Sequence, residues 1–187
     1  VPRETAIAAA ALLRRHEADA VISFGGSTQN DTAKAAALAL AEGLTSPEQF
    51  EPFAIRYEDP SGRVVPALRG EALPIYAVPT TLSAGEFTNI AGITDTVRGE
   101  KQLYQDRQLA ARAVILDPEL TLHTPDWLWL SSGVKAIDHC VEAWFSTRAQ
   151  PLTDALAAEA LGALFRFLPQ TRRRPDDLDA RLHCQIA

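Results

Sequence analysis

Between Gly133 and Ala143 the chain reads Gly133-Val134-Lys135-Ala136-Ile137-Asp138-His139-Cys140-Val141-Glu142-Ala143, which brings five residue types with useful chemistry into one short stretch. Histidine and carboxylates can ligate a metal ion, whereas a lysine and a histidine together can steady a developing oxyanion and deliver a proton. At about 100° per residue, Lys135, Asp138, His139 and Glu142 fall on one stripe of a helix. Val134, Ile137, Cys140, Val141 and Trp144 fall on the other side, so the stretch predicts an amphipathic helix with Cys140 turned to the core and inert. The same stripe is also what a solvated helix face carries, a ladder of charge pairs each contributing about 0.2–0.5 kcal/mol.

Two further stretches have the form of ligand loops. Gly25-Gly26-Ser27-Thr28 follows an apolar run and precedes a helical one. Glycines there let a backbone approach a phosphate, free amides at the helix start bind its charge, and Ser27 and Thr28 add hydroxyls. It is not a GxGxxG, and Thr28-Gln29-Asn30-Asp31 also fits a capping box. Pro79-Thr80-Thr81 closes a second apolar run, at a strand's carboxyl end where open parallel sheets bind ligands. A turn held by threonine hydroxyls has the same sequence.

These loops need strands and helices to aim them. Thr5 to Arg15 reads as a helix, Ala18 to Phe24 as a buried strand, and Asn30 to Glu42 as a helix stopping at Gly43. Residues 44–70 form an excursion with a strand at Phe53 to Tyr57 and a hairpin. Leu73 to Val78 reads as a second buried strand, with further strands near Asn89 to Thr94, Lys101 to Tyr104 and Arg112 to Leu116. Past Pro125 only helical rhythm remains, at Val134 to Ser146, Pro151 to Leu168 and Pro175 to Ala187, with Arg172-Arg173-Arg174 in a turn. The chain therefore divides near Thr124 into an α/β part, residues 1–124, and an all-helical part, residues 125–187.

With 187 residues, 47% of them hydrophobic, the chain can bury a core, and its net charge of −6 argues against nucleic-acid binding. No apolar run of about 18 residues could cross a membrane, and the start has no signal-peptide pattern, so the expected place is the cytoplasm. Cys140 and Cys184 lie outside any CxxC pattern and are expected as free thiols. Both ends read as cut, since the first residue is Val1 and the last helical segment has no stop signal.

Gly25-Gly26-Ser27-Thr28-Gln29-Asn30-Asp31-Thr32-Ala33-Lys34, Val78-Pro79-Thr80-Thr81, Asp117-Pro118-Glu119-Leu120-Thr121 and Gly133 to Ala143, in this order, together resemble the iron-containing (group III) alcohol dehydrogenase family. That family's patterns are GGGSxxDxAK, PTTxGTGSE and GxDAxxHxxEA. The loop PTTLSAGEFT, one residue shorter, looks more like the maleylacetate reductase branch. The resemblance implies a partial Rossmann-like N-terminal domain followed by the start of an all-α C-terminal domain, a dehydroquinate synthase-like architecture. It implies NAD or NADP as cofactor, a small carbonyl or maleylacetate-like substrate, a homodimer, and no nucleic-acid or membrane partner.

Carried over residue by residue, Gly25, Gly26, Ser27, Thr28 and Asp31 would hold the pyrophosphate region, and Thr80 and Thr81 would line the dinucleotide site. Lys101, in the turn Gly99-Glu100-Lys101, would lie near the ribose and Leu120 near the nicotinamide. His139 matches the family's first metal histidine, for iron or zinc, but Lys135 stands where the family has a ligating aspartate. A protonated lysine repels a cation and offers no lone pair. The resemblance therefore points to metal-independent hydride transfer to a carbonyl or conjugated double bond, with Lys135 and His139 catalytic. A metal-dependent alcohol dehydrogenase with altered ligands and a non-catalytic nucleotide-binding or interaction module are the alternatives.

Overall fold

Alanine enters a helix without losing side-chain entropy, and alanine-rich segments supply the first two helices. They are α1 (Arg3–Arg15) and α2 (Ser27–Ala41), on either side of β1 (Val21–Gly25) in the sequence. The computed structural model describes residues 1–58 and 62–187. Small side chains let the two helices pack closely: Ala6 and Ala10 meet Ala35, Ala36 and Ala39 in a core that Phe50, Ile93, Tyr104 and Leu109 complete.

Pro47–Phe53 forms a 3-10 helix, so the strand expected at Phe53 to Tyr57 starts later, as β2 (Arg56–Glu58). It pairs antiparallel with β3 (Gly62–Val64), which is the expected hairpin; residues 59–61 lie outside the described residues. β4 (Ile75–Pro79) and β7 (Ala113–Val114) pair parallel, in a sheet of order β1-β4-β7. Between them β5 (Ile90–Asp95) and β6 (Glu100–Gln105) form an antiparallel hairpin, from Ile90 opposite Gln105 to Asp95 opposite Glu100.

The run Ala18 to Phe24 is buried on one face only. β1 ends the sheet order, and its alternation turns Ser23 inward while Ile22 and Phe24 stay exposed. At the other end of this half, Arg3 pins α1 to the β5–β6 hairpin. Its guanidinium donates to Asp95 at 3.0 Å, Glu51 at 2.9 Å and Tyr104 at 3.1 Å, and also to Gln102.

Packing groups the chain into two compact units, Val1–Val78 with Gly85–Ile115, and Pro79–Ala84 with Leu116–Ala187. The loop that leaves β4 thus belongs with the helices. Those helices are α3 (Asp126–Phe145), α4 (Pro151–Arg173) and α5 (Leu178–Ile186). α3 begins well before Val134, because Pro125 sets the chain's entry and Trp129 anchors the first turns. The Trp129 side chain is buried and donates from Nε1 to Thr171 Oγ1 at 3.0 Å.

α4 runs through Pro169 to Arg173, so Arg172 and Arg173 lie in its last helical turn instead of a loop, where positive charge suits the helix dipole. Leu82, Trp129, Leu164, Leu168 and Cys184 form this unit's core, and burial pushes the Cys184 thiol up to about 12. Gly133 makes the contact of α3 with α4 possible, since a Cβ there would stand 2.6 Å from Leu168 Cδ1. Among the described residues no helix is long and apolar enough to cross a membrane.

Candidate functional site

The glycine turn is built as its sequence suggests. Gly25 has φ of +140°, a conformation that side chains rarely adopt, and a Cβ there would lie 2.7 Å from Gln29. Gly26 is the N-cap of α2, and its amide donates to Gln29 Oε1 at 2.9 Å. The helix therefore starts at Ser27, ahead of the expected Asn30, and the capping pair is Gly26 with Gln29, not Thr28 with Asp31. Asn30 makes the first intrahelical bond, to the Gly26 carbonyl at 3.1 Å, so the amides of Ser27 and Thr28 point along the axis without an acceptor in the helix. Beside the turn, Ser23, Phe24, Thr28, Gln29 and Thr32 line part of a cavity of about 560 Å³.

Asp31 lies one turn further along, and its surroundings differ from those of the glycines. Burial raises its pKa, while the Gly92 backbone and the charges of Lys101 and Lys34 pull it down. Lys101 sits in β6 opposite Thr94 rather than in the preceding turn. Its chain lies over Gly92, where a Cβ would come within 2.9 Å of Nζ. The structure thus gathers Asp31, Gly92 and Lys101 as one group and Gly25, Gly26, Ser27 and Thr28 as another.

Sequence reasoning missed the polar group beneath these. Ser23 donates to Asn30 Oδ1 at 2.6 Å, and Asn30 Nδ2 donates to Glu86 at 3.2 Å. Lys34, 1% exposed, donates to the carbonyls of Gly85, Thr88 and Ile90 at 2.6, 2.7 and 3.1 Å, and to Thr88 Oγ1 at 3.2 Å. Burial lowers the Lys34 pKa and raises that of Glu86, each countered by the other's charge. The motif's lysine therefore anchors a loop instead of reaching for a phosphate. A signal was available: Asn30 and Lys34, four residues apart, fall on a helix face whose neighbours Ala33, Ala37, Leu38 and Ala41 are apolar.

In the second unit the threonine loop is held by its backbone. Thr124 Oγ1 donates to the Thr80 carbonyl at 2.7 Å, Ser132 Oγ accepts from the Leu82 amide at 3.0 Å, and Gln185 Nε2 donates to the Pro79 carbonyl at 3.3 Å. Thr81 is buried and bonds Ser83 Oγ at 3.2 Å. Leu120 is half-buried in the 3-10 turn Glu119–His123, whose centre, Thr121, is fully buried.

On α3 the charged stripe forms as the wheel requires. Lys135 Nζ lies 2.5 Å from Asp138 Oδ2 and 3.8 Å from Glu142 Oε2, with about half of each side chain exposed or more. Asp138 raises the Lys135 pKa, and Lys135 lowers that of Asp138. His139 is exposed one helical turn after Lys135, and Cys140 is half-buried with its thiol pKa raised by burial. Val134, Val141 and Trp144, expected on the core side, are exposed.

These residues do not fit a divalent metal. Lys135 is a held cation with no free lone pair, and among the described residues no three histidine, cysteine or carboxylate side chains cluster as ligands. Over the turn, the Gln29 side chain fills the space a Cβ on Gly25 would take and Gln29 Oε1 accepts from the Gly26 amide, which leaves the amides of Ser27 and Thr28 as the donors at the start of α2 that suit an anion.

Residues 1–118 match the family described as iron-containing alcohol dehydrogenase, and residues 129–187 match the C-terminal part of the Fe-containing alcohol dehydrogenase family. Among curated proteins, the dehydrogenase ALT3 of Alternaria alternata is 37% identical over 186 residues, covering 91% of this chain and 47% of its own. A maleylacetate reductase of Pseudomonas knackmussii is 34% identical over 181 residues, covering 97% of this chain and 42% of its own. The chain thus spans about half the length of the curated relatives it matches. Among solved structures, sulfoacetaldehyde reductase from Bifidobacterium kashiwanohense in complex with NAD+ superposes with a TM-score of 0.82 at 27% identity, covering 97% of this chain and 45% of that one.

Proposed function

The chain belongs to the iron-containing alcohol dehydrogenase family, and from that premise we propose that the whole protein is an NAD(P)-dependent reductase of the maleylacetate reductase type. The reaction is the reduction of a carbonyl or a conjugated double bond in a small molecule. A bound reduced nicotinamide supplies the hydride. The amides of Ser27 and Thr28, which open α2 without an acceptor in the helix, meet the diphosphate.

The observation that carries the reading is Lys135, an ammonium where the family's pattern has a ligating aspartate, one helical turn before His139. As hydride reaches the carbonyl carbon, the C=O π pair moves onto oxygen, and Lys135 stabilises that charge. His139 passes a proton to the oxygen, which leaves an alcohol and the oxidised nicotinamide. For a conjugated double bond the hydride adds at the β carbon, and the same two residues meet the enolate oxygen. Asp138 keeps Lys135 charged without cancelling its field, since both are solvated and the pair is weak.

The test is NADH- or NADPH-linked reduction of maleylacetate and simple aldehydes by the whole protein after exhaustive chelation. Retained activity, with Lys135→Met lowering kcat by roughly a hundredfold or more, is expected. Complete loss on chelation, restored by zinc or iron, refutes it.

A further inference from the structure

The three strands of the β1-β4-β7 sheet begin side by side. The Val21 amide donates to the Pro74 carbonyl at 2.9 Å and the Arg112 amide to the Ile75 carbonyl at 2.7 Å, which aligns the first residues of β1, β4 and β7. At this edge, opposite the Gly25 turn where β1 ends, the first unit holds a cavity of about 550 Å³. Small-molecule sites run from about 300 to 1,000 Å³, a range that the cavity of about 170 Å³ beside Arg3 does not reach.

The larger cavity is lined from two segments, residues 71–74 and 107–112, and side chains bind those segments together. Gln108 Oε1 accepts from the Ala72 amide at 3.0 Å, and Gln108 Nε2 donates to the Gly70 carbonyl at 3.2 Å. Asp106 adds a second tie, accepting from the Leu68 and Gln108 amides at 3.1 and 2.9 Å. Leu109, fully buried, anchors the turn between them. The site is thus preformed, and a preformed site loses little to ordering when a ligand arrives.

Its charges are uncommitted. Arg107, Arg112 and Glu71 all line the cavity and are exposed, and among the described residues none of the three side chains forms an ion pair or a hydrogen bond. Of the neighbouring carboxylates, Asp106 is held by the amides just named, and Glu42 by those of Arg69 and Gly70 at 2.6 and 3.0 Å. In a chain with 24 acidic and 18 basic residues, two unpaired arginines on one cavity mark a place for an anion. A guanidinium meets a carboxylate through a planar fork of two hydrogen bonds. Two forks suit two carboxylates, and the small apolar surface of Ala72, Pro74 and Ala110 suits the carbon spacer that joins them.

We propose that this cavity binds a small dicarboxylate, one carboxylate on Arg107 and the other on Arg112, at the edge of the sheet opposite the Gly25 turn. Glu71 repels further negative charge and so limits the site to dianions. The inference is independent of the reductase reading, and neither falls with the other.

Succinate is titrated calorimetrically into the whole protein at low salt, with acetate and inorganic phosphate alongside. Succinate should bind saturably, at least tenfold more tightly than either of the others. Arg107→Gln and Arg112→Gln should each weaken it by roughly tenfold or more, the loss expected for a charge-assisted contact, and Glu71→Gln should tighten it severalfold. Arg14→Gln, at an exposed arginine of α1 outside the cavity, should leave it unchanged. No saturable binding of succinate overturns the proposal, as does acetate or phosphate binding equally well. Binding indifferent to Arg107→Gln and Arg112→Gln overturns it too, because succinate would then sit elsewhere. An equal loss in Arg14→Gln would reduce the effect to net charge and overturn it in the same way.

Discussion

Replacing Lys34 by methionine tests the loop anchor directly, because methionine keeps the length and apolar stem while removing every donor. Three backbone carbonyls, of Gly85, Thr88 and Ile90, and the Thr88 hydroxyl would lose their shared partner at once. A hydrogen bond from a charged donor contributes about 1.5–3 kcal/mol. Three of them sum to roughly 4–9 kcal/mol before offsets. The methionine avoids desolvating an ammonium, and exposed Thr88 can turn to water, so we expect a net loss of about 3 kcal/mol. In urea, with a slope of about 2 kcal/mol per molar, the midpoint of the affected transition should fall by about 1.5 M.

Amide exchange should quicken across residues 85–90 beyond what global unfolding explains. Lys34→Arg, which keeps the charge with a different fork, should lie between. The pH dependence has a definite sign. Burial lowers the Lys34 pKa below its ordinary 10.5, so on raising pH the folded chain releases this proton before the unfolded chain does. Stability then rises with pH across that interval, and the wild-type margin over Lys34→Met should grow on approach to 10.5. A Lys34→Met protein within about 0.5 kcal/mol of wild type, with unchanged exchange at 85–90, would refute the anchor.

Two other perturbations follow from the same first unit. Arg3 and Arg98 hold Glu51 down to about 2, so its stabilisation is complete above its ordinary 4.5 and is lost as pH falls toward 2. With Glu51 46% exposed and screened by solvent, Glu51→Gln should cost about 1 kcal/mol at neutral pH and nothing near pH 2, read from urea midpoints across a pH series; a pH-independent difference would contradict the pairing. Gly25→Ala forces a side chain into φ of +140° and against Gln29, and should destabilise the first unit by about 1–3 kcal/mol while weakening NAD or NADP roughly tenfold; equal stability and affinity would mean the turn tolerates a Cβ.

What the sequence made legible was whatever rests on local pattern. The glycine turn, the threonine loop and the charged stripe of α3 were readable because spacing and residue type define them. Lys34 and Arg181 were not, because helical periodicity assigns a charged residue to solvent unless its partners are known. Those partners lie 51 and 60 positions away, at Gly85 and Thr121, and only the folded chain brings them near. The early start of α3 was hidden for a related reason: Ser131, Ser132 and Gly133 break the apolar rhythm, and what holds that turn is Trp129 bonded to Thr171 on another helix. The one-sided burial of β1 follows from its place at the end of the sheet order, which no single strand announces.

The bare backbone at Gly133 settles more than spacing. Leu168 fills the notch it leaves, and a helix seated on such a notch cannot roll about its axis without driving the leucine into its own backbone. Roll is what decides where a helix aims its side chains. Lys135 and His139 lie on α3 about 200° and 240° around from Gly133. The leucine in the notch is therefore the key that sets their bearing from the far side of the helix, and a rounder residue at 168 would let the pair wander in azimuth while leaving every helix in place.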